Sequence, residues 1–267
     1  MAAENFNPVF LLESIGSLAI VLILLIFYRK RGLTFAVLAV SALSYFLAIA
    51  LKTILQSFTL GGMEAAYGYS SFPTALYFGA QTAVFEVFGA YLFASAFRKH
   101  IMQKNAEAYG LSLAFWENGV LLGILPLISL IADFLIIANG PASLSSLVSG
   151  ALQKSSPGLF IGTYQALPVI GYSVLERISS LMVHFAWGFL VVTSVSLGRK
   201  RYLACAIPMG FVDSVVPFAG KLGLPLTEAI FFLIGIAALA LALLVRKGVS
   251  NNVTEERKAE IPASPPD

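Results

Sequence analysis

Apolar residues run almost unbroken through seven stretches of the chain, about 8–28, 33–55, 74–97, 108–137, 167–198, 202–220 and 224–245, and polar residues gather between them. A run of about 20 apolar residues is long enough to carry a helix across the hydrocarbon core of a bilayer. The runs are continuous, which excludes the alternating pattern of a transmembrane β-barrel. The predicted fold class is therefore all-α: a polytopic membrane helical bundle of about seven transmembrane helices. One transmembrane domain is expected over 1–248. The tail over 249–267 is polar and ends in Pro-Pro-Asp; such a stretch cannot bury apolar surface, so a disordered cytoplasmic tail is expected. Spans four and five are too long for straight crossings, and Pro126 is expected to kink span four because it removes a backbone donor. Residues 56–73 and 138–166 read as external loops, the second rich in Gly, Ser and Pro and carrying a short interfacial helix.

Composition strengthens the membrane reading. The chain is 58% hydrophobic and 12% charged, with a mean hydropathy of +0.85, whereas soluble domains are about 25% charged. The net charge of +3 gives no footprint for nucleic acid, and no soluble cofactor is expected. The single Cys205 excludes an intramolecular disulfide and a thiolate metal cluster. The first apolar run follows an acidic start at Glu4, so it reads as the first membrane helix and not as a cleavable leader.

The basic residues fix an orientation. Arg29, Lys30 and Arg31 follow span one; Arg98, Lys99 and Lys104 follow span three. Arg199, Lys200 and Arg201 follow span five; Arg246, Lys247, Arg257 and Lys258 follow span seven. Seven spans put all of these on one face and leave Lys52, Lys154, Arg177 and Lys221 near the other. By the positive-inside rule the N-terminus is outside and the C-terminus cytoplasmic. The expected location is integral to a prokaryotic cytoplasmic membrane, with the lipid bilayer as solvent.

Four ionisable residues break the apolar runs near mid-depth. At about 1.5 Å per residue, Glu86 lies about 16 Å from the cytoplasmic end of its span, Glu117 about 14 Å, Asp213 about 16 Å and His184 about 21 Å. Charged groups at that depth cost several kcal/mol unless paired or wetted, and they mark sites or pathways by default. The bland reading of each is a satisfied contact between helices; four at one level favour a single polar site. Thr82 shares a helical face with Glu86 and is placed to hydrogen-bond it, and Arg177, Ser180, His184 and Gly188 share another face. Pro217 cannot donate to the carbonyl of Asp213, which implies a bent helix beside that carboxylate. Gly119 and Gly123 form a GxxxG pair suited to packing on a neighbouring helix. Glu, His and Asp are all zinc ligands, although the chain has no HExxH and its other histidine, His100, lies in a basic cluster. The same set suits a proton site.

These residues sit inside recognisable strings. The stretch from Ala75 to Gly123, ALYFGAQTAVFEVFGAYLFASAFRKHIMQKNAEAYGLSLAFWENGVLLG, resembles the YhfC-type membrane peptidases and their PrsW-type relatives in the CAAX prenyl protease superfamily. Glu86 matches the first glutamate of the first motif, with Val87 in place of the second glutamate and Ala90 in place of the basic residue. Leu113-Ala114-Phe115-Trp116-Glu117-Asn118 is similar to the FAxxEN motif, with Leu113 for the Phe, and the histidine that YhfC-type chains tend to carry near Leu113 is absent. Glu176-Arg177 followed by His184 resembles the third block. Asp213 ends an HxxxD-like motif whose histidine position holds Met209. The resemblance covers about 75–220. It implies a helical bundle with an intramembrane site, a divalent metal such as zinc, and proteolysis of a membrane protein segment or lipidated peptide.

On that resemblance Glu86 and Glu117 are the catalytic candidates. Glu86 is the general base, and Glu117, His184 and Asp213 are the metal ligands, supported by Asn118, Arg177 and Ser180. Because Ala90 cannot supply the motif's charge and Arg177 is placed toward the outer leaflet, no cation is expected beside Glu86. The second reading is an inactive homologue acting as a scaffold that holds a membrane partner in the same cleft. A third is a proton-linked transporter, against which stands the lack of an inverted repeat.

Overall fold

The computed structural model describes residues 6–259, and every regular element in that range is helical. The helices are α1 (Leu11–Tyr28), α2 (Phe35–Tyr67), α3 (72–96), α4 (Gln103–Asn139), α5 (Ala142–Ser155), α6 (Thr163–Leu197), α7 (Lys200–Leu222) and α8 (Leu224–Ala259). Six of them, α1, α2, α4, α6, α7 and α8, are long and apolar enough to cross a membrane. The expected third span, α3, is a continuous rod but carries Gln81 and Glu86, which hold it below the apolarity of the others.

Local chemistry sets the boundaries. The Thr34 side chain caps α2 by accepting from the Val37 N–H, and Ser71 caps α3 in the same way through Thr74, with Pro73 in the first turn. Gly198 ends α6 in the left-handed conformation at φ 62°, which costs glycine nothing. Side-chain contacts gather the helix ends into two faces. At one, Asn7 Nδ2 donates to the Ile161 carbonyl and Lys221 Nζ to that of Ser70. At the other, Asn105 Nδ2 donates to the Gly32 carbonyl and Arg246 pairs with Glu107.

α6 is the axis of the bundle. Its most apolar window is 78% buried, against 33% or less for the other five spans. Trp187, Leu190, Val191 and Val192 on α6 pack with Tyr109 and Leu113 of α4 in the main core. The α4–α6 crossing is close because both helices present glycine there: a Cβ on Gly188 would sit 2.3 Å from Gly110 Cα. The outward faces keep large apolar side chains such as Ile26, Phe58, Leu233 and Leu244, as lipid solvation requires. Gly119 and Gly123 pack as expected, with α1 residues Val21 and Leu18 close to where their Cβ atoms would lie.

Besides short 3-10 turns at Pro8–Phe10, Gln103–Asn105 and Pro157–Phe160, three longer segments depart from α-helical geometry. Thr82–Phe88 in α3 and Phe115–Ile124 in α4 are π-helical, and Ile207–Phe218 in α7 is a 3-10 helix. The π segment of α4 ends just before Pro126, which has no N–H for the Leu122 carbonyl. The 3-10 segment contains Pro217, where a bend is expected. Glu86, Glu117 and Asp213 lie on these three segments.

Of three expectations about the connections and the tail, one is met and two need amending. The external loop over 56–73 is helix as far as Tyr67, because no proline or capping residue breaks α2 between Lys52 and the C-cap Gly68; only 68–71 link it to α3. The loop over 138–166 does contain a helix, α5. The stretch expected as a disordered tail begins as a continuation of α8, which runs to Ala259, and residues 260–267 lie outside the described residues.

Candidate metal centre

The site forms where the π segments of α3 and α4 face the middle of α6. Glu86, Glu117 and His184 each offer one ligand atom, and these atoms all lie within 4.8 Å of one another. His184 Nε2 is 3.0 Å from Glu117 Oε2 and 3.6 Å from Glu86 Oε2. His184 and Glu86 are buried, at 4% and 7% exposure. The π geometry has a local consequence: the extra residue per turn re-aims one side chain relative to the α-helical register, and such bulges gather at functional sites.

The Nδ1 side of the histidine is anchored on its own helix. Nδ1 lies 2.9 Å from the Ser180 carbonyl, one turn earlier on α6, and a carbonyl only accepts. Nδ1 therefore carries a proton, and in the neutral ring the Nε2 lone pair would face the two glutamates. Nε2 is fully buried and makes no hydrogen bond, an orphaned atom that a metal ion would satisfy. The ring packs on Trp187, with centroids 4.3 Å apart, and against the edge of Tyr45.

A ring of polar groups orients the ligands. Ser180 Oγ donates to Glu117 Oε1 at 2.8 Å, and Arg177 Nη1 lies 3.7 Å from the same oxygen. Arg177 also donates to Asn118 Oδ1 at 3.3 Å and pairs with Glu176, while Asn118 Nδ2 returns a bond to the Arg177 carbonyl. The supporting residues read from the sequence, Asn118, Arg177 and Ser180, thus form one network under Glu117.

Asp213 belongs to a second cluster. Its Oδ2 accepts from Thr82 Oγ1 and from Lys52 Nζ at 3.1 Å, and Lys52 Nζ lies 2.5 Å from Glu86 Oε1. Glu86, and not Asp213, completes the three-ligand group with Glu117 and His184. Thr82, expected on Glu86, bonds Asp213 instead and accepts from Lys52 at 2.7 Å.

The expectation that no cation stands beside Glu86 is overturned by Lys52. Ending span two at 55 places this lysine at the outer edge. Because α2 runs on to Tyr67, Lys52 sits about 22 Å from that helix end, in the middle of the bundle. Its sequence signal was present: a lone lysine inside an otherwise apolar run. Arg177, for which the sequence leaves open both snorkelling to the outer interface and pairing with a carboxylate, pairs with Glu117 and Glu176.

The charge balance fits a divalent cation. Four carboxylates, those of Glu86, Glu117, Glu176 and Asp213, meet two permanent cations, Lys52 and Arg177. With His184 neutral, two negative charges remain uncompensated at low dielectric, and a bound divalent ion would neutralise both. All of these groups but Arg177 line a cavity of about 250 Å³ whose other walls are mostly apolar, among them Ile49, Val183, Val212 and Phe231.

Two of three comparisons with known proteins are silent: no curated protein and no solved structure matches the chain. The third is informative, since the family described as YhfC intramembrane metalloprotease matches residues 16–225, from the first helix to the start of the last and including every residue of the site. A buried Glu-Glu-His group among apolar helices is a donor set consistent with such a family, and on the extent of that match this chain belongs to the YhfC intramembrane metalloprotease family.

Proposed function

We propose that the chain is an intramembrane peptidase, a hydrolase that cuts a membrane protein segment or a lipidated peptide. Glu86, Glu117 and His184 would hold a divalent ion, with zinc the first to test. The observation that carries this reading is the convergence of the three ligand atoms within 4.8 Å of one another. One borderline nitrogen and two carboxylates suit zinc and neighbouring first-row metals. When bound, such an ion supplies Lewis-acid polarisation of a carbonyl and lowers the pKa of a water.

The chain's own residues divide the remaining work. Ser180 and Arg177 hold one oxygen of Glu117, so that its other oxygen is presented to His184. Lys52 holds one oxygen of Glu86 in the same sense. Both glutamates are thus committed, which argues against Glu86 as the free base. Asp213 is the most open of the three carboxylates, with a side chain 31% exposed, against 7% for Glu86 and 18% for Glu117. We assign it the general-base role: its carboxylate takes a proton from the attacking water and returns it to the leaving amine. The apolar walls of the cavity accept the flanking part of a membrane-embedded substrate and keep bulk water out.

One observation favours the inactive reading. Lys52 lies at hydrogen-bond distance from Glu86 and Asp213, and a protonated His184 would pair with Glu86 and Glu117, an arrangement that needs no metal to serve as a polar cleft for a membrane partner. Metal analysis of the purified protein, wild type beside His184→Ala, together with cleavage of membrane-segment reporters with and without chelator, separates the two. Bound metal lost in His184→Ala and chelator-sensitive cleavage support the peptidase. No metal and no cleavage, with a membrane complex disrupted by Glu86→Gln, supports the scaffold.

A further inference from the structure

Peptide hydrolysis consumes one water, whose hydroxyl joins the acyl carbon and whose proton joins the leaving amine. A site enclosed by apolar helices needs a route for that water. A second cavity, of about 180 Å³, lies between α1, α4 and α6. Its lining is polar for a membrane interior: Glu13, Ser14 and Ser17 from α1 face Ser173, Glu176 and Arg177 from α6. A water takes about 30 Å³ of liquid volume and needs two to four polar partners, so the cavity has room and partners for several.

The second cavity meets the metal centre. Glu176 and Leu122 line both cavities and form the partition between them. On α6, Ser173, Arg177, Ser180 and His184 follow one another at helical spacing, a continuous polar stripe from the cavity to the candidate ligand. The stripe is bonded at its steps: Ser173 donates to Glu13, Arg177 to Glu176 and Asn118, and Ser180 to Glu117. Glu13 lies in the first turn of α1, near the face where the N-terminal segment is tied to the start of α6 through Asn7. Structural packing alone would place apolar residues at these positions, since three serines and two acids in a helix interface are costly in lipid.

We infer that this cavity is the water-entry route of the site, opening at the Glu13 end and delivering water past Glu176 and Leu122 to the cavity around His184. The inference rests on the peptidase reading for its purpose but not for its test, because water access is measurable without catalysis.

The experiment uses the full chain in nanodiscs with Cys205→Ser, so that introduced thiols are the only ones. Ser173→Cys reports the second cavity, Ser180→Cys the central one, and Ile128→Cys the lipid-facing surface of α4, where Ile128 is 60% exposed. Silver ion is the probe: it is small, travels in water and reacts with thiolate, and binding is read as protection from later alkylation in denaturant. Thiolate does not form in hydrocarbon, so both inner cysteines are expected to react about tenfold or more faster than Cys at 128. Leu130→Trp, which fills the second cavity from its wall, is expected to slow both inner positions by about tenfold while leaving position 128 unchanged. Inner cysteines no faster than the lipid-facing control would overturn the route. So would rapid reaction at 180 that Leu130→Trp leaves unchanged, since water would then enter elsewhere. If the route is present but no metal binds and nothing is cleaved, the peptidase reading fails and the wet path stands.

Discussion

Lys52 Nζ lies 2.5 Å from Glu86 Oε1 and bonds Asp213 at 3.1 Å, so a buried ammonium on α2 ties α3 to α7. Removing it leaves two carboxylates without compensation. Breaking a buried pair by deleting one partner typically costs about 3–5 kcal/mol. Lys52→Met is therefore expected to lower the unfolding midpoint in detergent markedly, and adding Asp213→Asn should restore part of the loss. A Lys52→Met protein as stable as wild type would show that the pair carries no structural load.

Metal binding should separate the two clusters. His184→Ala and Glu117→Gln are expected to abolish stoichiometric metal, whereas Asp213→Asn should retain it and lose cleavage. Ser180→Ala, which removes the hydroxyl donor to Glu117, should weaken affinity by about 10–100-fold. Equal metal loss in Asp213→Asn would return Asp213 to the ligand set.

Cleavage of a membrane-segment reporter should stop with chelator, recover on adding a divalent ion, and be absent in Glu86→Gln. Undiminished turnover by Glu86→Gln would remove this residue from the site.

The α4–α6 crossing below His184 depends on two facing glycines. Gly188→Ala puts a methyl 2.3 Å from Gly110 Cα, so the backbones must separate. Overpacking of this kind costs about 1–3 kcal/mol. Because position 188 is one turn from His184, weaker metal binding should accompany the lower unfolding midpoint. A midpoint matching wild type would show that the crossing yields easily.

Orientation is testable by reporters. The basic clusters predict a cytoplasmic signal from a fusion after Val245 and an external one from an insertion near Ser146. The reverse result would invert the topology.

Hydropathy is a property of residues in chain order, so the sequence by itself determined the helical membrane class, the positions of most spans and the residues that violate them. Glu86, Glu117, His184 and Asp213 were legible because an ionisable group in an apolar run is conspicuous without a structure. Arg177, Ser180 and His184 were legible as one face because helical spacing is also local. Which atoms meet was decided by tertiary structure. The end of α2 at Tyr67, capped by Gly68 at φ 80°, set the depth of Lys52, whereas hydropathy alone ended that span at 55. The π turns in α3 and α4 re-aimed Glu86 and Glu117, and helix rotation of that kind depends on the neighbours packed around each turn. The division of the four ionisable residues into a metal-competent trio of Glu86, Glu117 and His184 and an aspartate outside it followed from those two placements, because ligand distances depend on the relative rotation and depth of separate helices, which no single stretch of chain encodes.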